Sequence, residues 1–174
     1  MNERILWGVG SSRALRAHWA LVFLDLDYET RAIHTRTPAM ETPEYRAVNP
    51  RGKIPTLIDG DLTVTESPAI VAYLAERYST PERRLIPENV KQRALYFEWM
   101  SFISMELDAT SLYVLRRHEG LPDIYGAAPE ACTAARAYFE RMLNAATLRL
   151  EDDRRYLLGE KFSGVDILMT TCLD

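Results

Sequence analysis

Apolar positions alternate between two periods before residue 80 of this chain and keep only one after it. Arg4 to Trp7 reads as a first strand, Arg13 to Leu24 carries the three-to-four-residue spacing of a helix, and Tyr28 to His34 reads as a second strand. Residues 37–49, "TPAMETPEYRAVN", are rich in proline and polar side chains and read as a loop with room for one short helix. Ile54 to Ile58 and Leu62 to Thr65 then form a hairpin, with Asp59-Gly60 as a turn that needs positive φ. Ser67 stands as the N-cap of the next helix and Pro68 as its first residue, where the missing N–H is harmless. Ile70, Tyr73, Leu74, Arg77 and Tyr78 follow at helical spacing. The order strand, helix, strand, hairpin, helix predicts a mixed sheet with helices packed on it.

Past "STPERRLIPEN", a charged stretch with two prolines that reads as a linker over 79–90, the pattern is helical throughout. Lys91 to Arg117 forms a long helix with Leu95, Trp99, Phe102, Ile103, Leu107, Leu112 and Tyr113 on one broad face. "EGLPDIYGAAPE" interrupts it, and Ala131 to Leu150 forms a second helix. Near the end, Ser163 and Asp166 have capping-box spacing and Phe162 and Ile167 occupy the hydrophobic-staple positions. The expected organisation is an α/β domain over 1–78, the linker, and an all-α domain over 91–174.

Composition narrows the function classes without choosing among them. A chain of 174 residues is long enough for one domain or two small ones, and its net charge of −4 is spread over interspersed acids and bases. Neither nucleic acid nor a membrane surface is an expected partner. No apolar run approaches the roughly 20 residues that span a bilayer, and "MNERILWGVG" lacks a secretory apolar region, so a cytoplasmic setting is expected. Cys132 and Cys172 stand alone, without metal-ligand or disulfide-framework spacing, and are read as packing residues. His18, His34 and His118 have no partner at metal or triad spacing and are read as structural. No metal is expected. The charge run "EDDRRY" reads as a solvated helix end.

The stretch "NPRGKIPTL" followed by "TESPAIVAYLAERY" resembles the glutathione-binding half of the cytosolic glutathione transferases, with proline, acid and serine in that family's order and spacing. "EWMSFISMEL" resembles the start of the family's helical domain, particularly in bacterial, theta- or beta-like members, and "FSGVDIL" its folding motif at a buried central helix. The resemblance implies a thioredoxin-like domain with a cis peptide before Pro55, followed by an all-α domain. The chain ends eleven residues after Ser163, short of the further helices that family members carry.

The resemblance assigns the backbone of Ile54, beside Pro55, to the cysteinyl part of glutathione, Glu66 and Ser67 to the amine and carboxylate of its γ-glutamyl end, and Lys53 to its glycine end. A carboxylate for an ammonium, and a hydroxyl with helix N–H groups for a carboxylate, is chemically apt pairing. Activation of the thiol falls to the loop "GVGSSRALR", where a hydroxyl and a helix start can lower a thiol pKa below about 8.5. Counting back from Tyr28 places the family's catalytic serine on Ser11; Ser12 is the alternative, and the cysteine-using register finds no cysteine near Arg13. Both serines also suit simple helix capping. Arg13 and Arg16 are candidates for positive potential near the thiol.

The implied activity is conjugation of the glutathione thiolate, a co-substrate, to hydrophobic electrophiles by a homodimeric enzyme. The alternatives are a related binding or interaction domain with little catalysis, or a glutathione-dependent peroxidase, dehalogenase or isomerase.

Overall fold

A computed structural model describes residues 4–150 and 152–173. The chain divides into two compact units, Met1–Pro87 and Glu88–Asp174.

The first unit is built on a four-stranded mixed sheet. Strand β1 (Arg4–Trp7) is followed by helix α1 (Ser12–Phe23) and the short strand β2 (Glu29–Arg31). A 3-10 turn (Pro38–Glu41) and helix α2 (Pro43–Val48) lead to strands β3 (Thr56–Asp59) and β4 (Leu62–Thr65) and helix α3 (Ser67–Tyr78). The strand order is β2-β1-β3-β4, with β1 parallel to β2 and antiparallel to β3. Strand alternation sorts the core. Leu6 and Leu57 pair in register and are fully buried on one face; α3 packs against β3, β4 and α1, contributing Ile70, Val71 and Leu74. Ala14, Ala17 and Ala20, all without exposure, let α1 approach closely. On the other face Trp7, Ile33, Met40, Tyr45 and Ile54 form a second cluster.

Several local readings are corrected. The second strand is three residues long, not seven, because the Ile33 N–H turns back onto Arg31 O at 2.9 Å and carries Ile33 into the second cluster. Residues 37–49 hold two short helical pieces; α2 is capped by the Thr42 side chain, which accepts from Tyr45 N–H. The hairpin turn is Gly60-Asp61. Asp59 pairs with Leu62 inside the ladder, and Gly60 alone supplies the positive φ, +64°. The Asp59 carboxylate is buried and used: the hydroxyls of Tyr73 and Tyr78 donate to it at 2.8 and 2.6 Å, and Arg4 Nε stands 3.6 Å away, an ion pair longer than a hydrogen bond. Burial, and the carboxylate it donates to, push the Tyr73 pKa well up.

The second unit is helical. Its first helix is not uniform: α4 (Val90–Phe102) runs into a π-helical segment (Ile103–Leu112) and then α5 (Tyr113–His118). The wider turn brings Ile103, Leu107 and Ser111, at four-residue intervals, to buried positions, and the Ser111 hydroxyl donates to Glu106 O at 3.0 Å. A short helix α6 (Pro122–Tyr125) precedes α7 (Pro129–Leu148), and α8 (Gly164–Leu173) closes the chain, nearly all of it buried.

Asp166 anchors the start of α8. Its carboxylate accepts the Ser163 N–H at 2.8 Å, as in a capping box, and also the Leu157 N–H at 2.9 Å. The Ser163 hydroxyl donates to that carboxylate at 2.8 Å instead of accepting from the helix, because the shorter aspartate stays within its reach. The run "EDDRRY" is not simply solvated. Glu151 lies outside the described residues, but Arg154 pairs with Asp152 and donates to Leu157 O at 3.2 Å, tying this stretch to the Asp166 anchor.

Candidate functional site

The register of the sheet gathers the predicted residues of the first unit. Trp7 pairs with Thr56 and Thr56 with Thr65. The loop after β1, the Ile54-Pro55 peptide before β3 and the Glu66-Ser67 pair after β4 therefore emerge side by side at one end of the sheet. Gly8 is in contact with Ile54: a Cβ there would lie 2.5 Å from Ile54 Cβ, and its φ of +111° disfavours any side chain.

Ser11 is the N-cap of α1, its hydroxyl oxygen accepting the Ala14 N–H at 3.1 Å. Ser12 is the first helical residue. Gly10 turns at φ +67° and the exposed His34 ring packs on it, Nδ1 being 2.8 Å from where a Cβ would stand. His34 thus borders the serine loop, which its lone position in sequence did not signal. His18 is structural. The Gly8 carbonyl can only accept, so Nε2, 3.0 Å away, carries the proton, and Nδ1 accepts from the Tyr28 hydroxyl at 2.9 Å.

The Ile54-Pro55 bond is cis. Ahead of it, the Lys53 carbonyl accepts from the Tyr45 hydroxyl and, at 2.7 Å, from Asn49 Nδ2, which also donates to Thr56 Oγ1 at 3.1 Å. Tyr45, Asn49 and Thr56 thereby hold the backbone that leads into Ile54. Lys53 itself is exposed, whereas Ile54 and Pro55 are buried. Burial raises the Tyr45 pKa, so this hydroxyl stays a donor.

The helix start differs from expectation. Glu66, not Ser67, is the N-cap of α3, at φ +69°, and its side chain makes no capping hydrogen bond. Ser67 already has helical geometry, so its hydroxyl is released from capping; it is almost fully buried and accepts from Arg16 Nη1 at 3.4 Å. Arg16 is itself 1% exposed, a cation beneath the helix start and not a surface group. A left-handed φ at a glutamate is unfavourable by about 1–3 kcal/mol, the kind of strain that concentrates at functional sites. Arg51, unassigned from sequence, meets Glu66: Nη1 stands 3.0 Å from Oε1, and Nη2 donates to Thr65 Oγ1.

Among the described residues no three His, Cys, Asp or Glu side chains gather into a metal-sized group, and no helix is long and apolar enough to cross a membrane. Cys132 and Cys172 are buried free thiols.

Residues 3–76 match the glutathione S-transferase N-terminal domain family. A wheat glutathione S-transferase is 29% identical over 170 residues, covering 95% of this chain and 74% of that protein. A probable maleylacetoacetate isomerase of Vibrio cholerae is 33% identical over 177 aligned positions, covering 99% of this chain and 79% of that protein. The crystal structure of a theta class glutathione S-transferase from Xanthomonas axonopodis pv. citri, with glutathione bound, superposes with a TM-score of 0.80 at 29% identity, over 97% of this chain and 80% of that one. Sheet order, helix order and these likenesses define a thioredoxin-like domain followed by a helical one. The chain belongs to the glutathione S-transferase superfamily. Matches to other transferases in the family cover from 41% to 64% of their length.

Proposed function

We propose that the chain binds glutathione at the sheet end described above and conjugates its thiolate to hydrophobic electrophiles. The observation that carries this reading is the convergence of the Ser11 loop, the Ile54-Pro55 backbone and the uncapped start of α3 over three neighbouring strand ends. Strands lie about 4.8 Å apart, so the outer two points are separated by roughly 10 Å, the length of an extended tripeptide. Glu66 takes the γ-glutamyl ammonium; Ser67 and the α3 N–H groups take the carboxylate; Ile54 takes the cysteinyl backbone; Lys53 faces the glycine end; and Ser11 or Ser12 faces sulfur. The buried Arg16 charge adds a field of the right sign for an anion. A cytoplasmic setting, which keeps glutathione and buried thiols reduced, fits this reading.

Charge-assisted hydrogen bonds contribute about 1.5–3 kcal/mol, so Glu66→Gln is expected to weaken glutathione binding by about tenfold or more in a calorimetric titration. Unchanged affinity would remove this placement of the ligand.

A second reading is glutathione-dependent isomerisation, favoured by the 33% identity to the Vibrio isomerase. A transferase consumes glutathione in proportion to product, whereas an isomerase returns it after each turnover. Measuring free thiol during reaction with an aryl halide and with a cis-enedione separates the two.

A homodimer is part of the proposal. Val90, Phe97 and Met105 lie along one side of α4 and its π-helical continuation, 79%, 42% and 61% exposed, with only Ala94 and Ser101 between them on that stripe. Such a stripe suits a two-fold contact. Sedimentation at micromolar concentration is expected to give a dimer, and Phe97→Glu a monomer; a monomeric wild type overturns this.

A further inference from the structure

We propose that Arg51 determines specificity at this site: its guanidinium recognises the carboxylate of an α-amino-acid end group while Glu66 holds the ammonium of the same group. The inference rests on the glutathione reading above and adds a residue that selects for the carboxylate of that end group.

The backbone that carries Arg51 is placed by the fold. Its N–H donates to Asn49 Oδ1 at 3.1 Å, the Gly52 N–H to Asn49 O at 2.9 Å, and Arg46 braces the loop through Pro50 O at 2.6 Å. From that base the guanidinium reaches across to the end of β4 and the start of α3, touching Thr65 Oγ1 and Glu66 Oε1. Its two contacts engage two of its five N–H donors.

Charge decides what this pair prefers. Glu66 and Arg51 together are neutral. A ligand that brings only an ammonium to Glu66 leaves one excess positive charge beside Arg51, which repels it. A ligand that brings ammonium and carboxylate on one carbon keeps the group neutral and alternates the signs, arginine, carboxylate, ammonium, glutamate, around a closed ring. The two ligand charges are two bonds apart, so an ammonium at Glu66 can bring its carboxylate, shared with Ser67, toward a guanidinium 3.0 Å from Oε1. The opposite possibility is that Arg51 merely competes with the ligand's ammonium for Glu66, and it predicts the opposite sign.

The test is a calorimetric titration, at one low ionic strength, of the whole protein and of Arg51→Gln with two ligands: glutathione, and γ-aminobutyryl-cysteinylglycine, which lacks the α-carboxylate. Arg51 is 58% exposed, so the variant is expected to fold, and a thermal melt checks this. The expected result is about a tenfold loss of glutathione affinity in Arg51→Gln and equal or tighter binding of the analogue, whose lone ammonium Arg51 repels. Equal or tighter glutathione binding by the variant overturns the assignment, as does an equal loss for both ligands. A wild type that binds neither ligand removes the glutathione reading itself; a wild type that binds glutathione beside an indifferent variant removes only the role of Arg51.

Discussion

Ser11→Ala is expected to lower turnover with an activated aryl halide about 10²-fold near neutral pH while glutathione affinity stays within about threefold. The geometry permits Ser11 two roles at once: its oxygen accepts the Ala14 N–H, and the same hydroxyl has a hydrogen to donate to a sulfur anion. Removing it withdraws a donor that stabilises the thiolate and not the ligand as a whole. The bound thiol pKa then rises, the thiolate fraction at neutral pH falls, and the deficit shrinks once the pH exceeds the raised value. The lost cap adds a separate destabilisation of about 1 kcal/mol, which a melt reports independently of the rate. Ser12, already inside the helix, is the control. Slow turnover in Ser12→Ala with normal turnover in Ser11→Ala would falsify the assignment. If both variants react normally, backbone N–H groups and the helix start stabilise the thiolate, and a binding domain with little catalysis becomes the better reading.

Asp59→Ala is expected to destabilise the protein by about 3–5 kcal/mol, the range for removing one partner of a buried charged network, and to lower the melting midpoint by roughly 10 °C. The substitution strands two tyrosine hydroxyls and a guanidinium around a carboxylate that is 1% exposed. Asp59→Asn keeps an acceptor for the tyrosines and loses only the charge, so its cost is expected to be smaller. Asp59 pairs with Arg4, three residues along the strands from the Trp7–Thr56 pair, which puts it about 10 Å from the sheet end where the ligand is proposed to bind. Folded Asp59→Ala should therefore keep its glutathione affinity. A midpoint within a degree or two of the wild type would show that the network contributes little.

Asp59 also shows where reading the sequence stops. Beside Gly60 it looks like turn chemistry, and nothing nearby announces Tyr73 and Tyr78, which come to it only when α3 folds back onto β3. Glu66 and Ser67 were legible as a pair by order and spacing. Which of them caps the helix was not, because that depends on a backbone angle of +69° that moves the cap back by one residue and turns the Ser67 hydroxyl onto Arg16. Arg16 was legible as a candidate for positive potential near the thiol, but its burial was not, since one-dimensional patterns carry no record of which charge a second helix covers. Arg51 was passed over because an arginine beside a glycine in a loop is ordinary, and its partner lies fifteen residues away.

By itself the sequence determined the family, the two-part organisation of sheet followed by helices, and the positions of β1, α1, the hairpin strands and α3. Each rests on local chemistry: alternation within a strand, spacing along a helix, a glycine at a turn, proline near a helix start. Tertiary structure alone decided the length of β2, the π-helical widening after α4, the burial of Asp59 and Arg16, and the meeting of Arg51 with Glu66. Those features depend on which surfaces come together and how tightly they pack. A buried charge is tolerated, a strand ended or a helix widened according to neighbours far along the chain, and local propensity does not encode them.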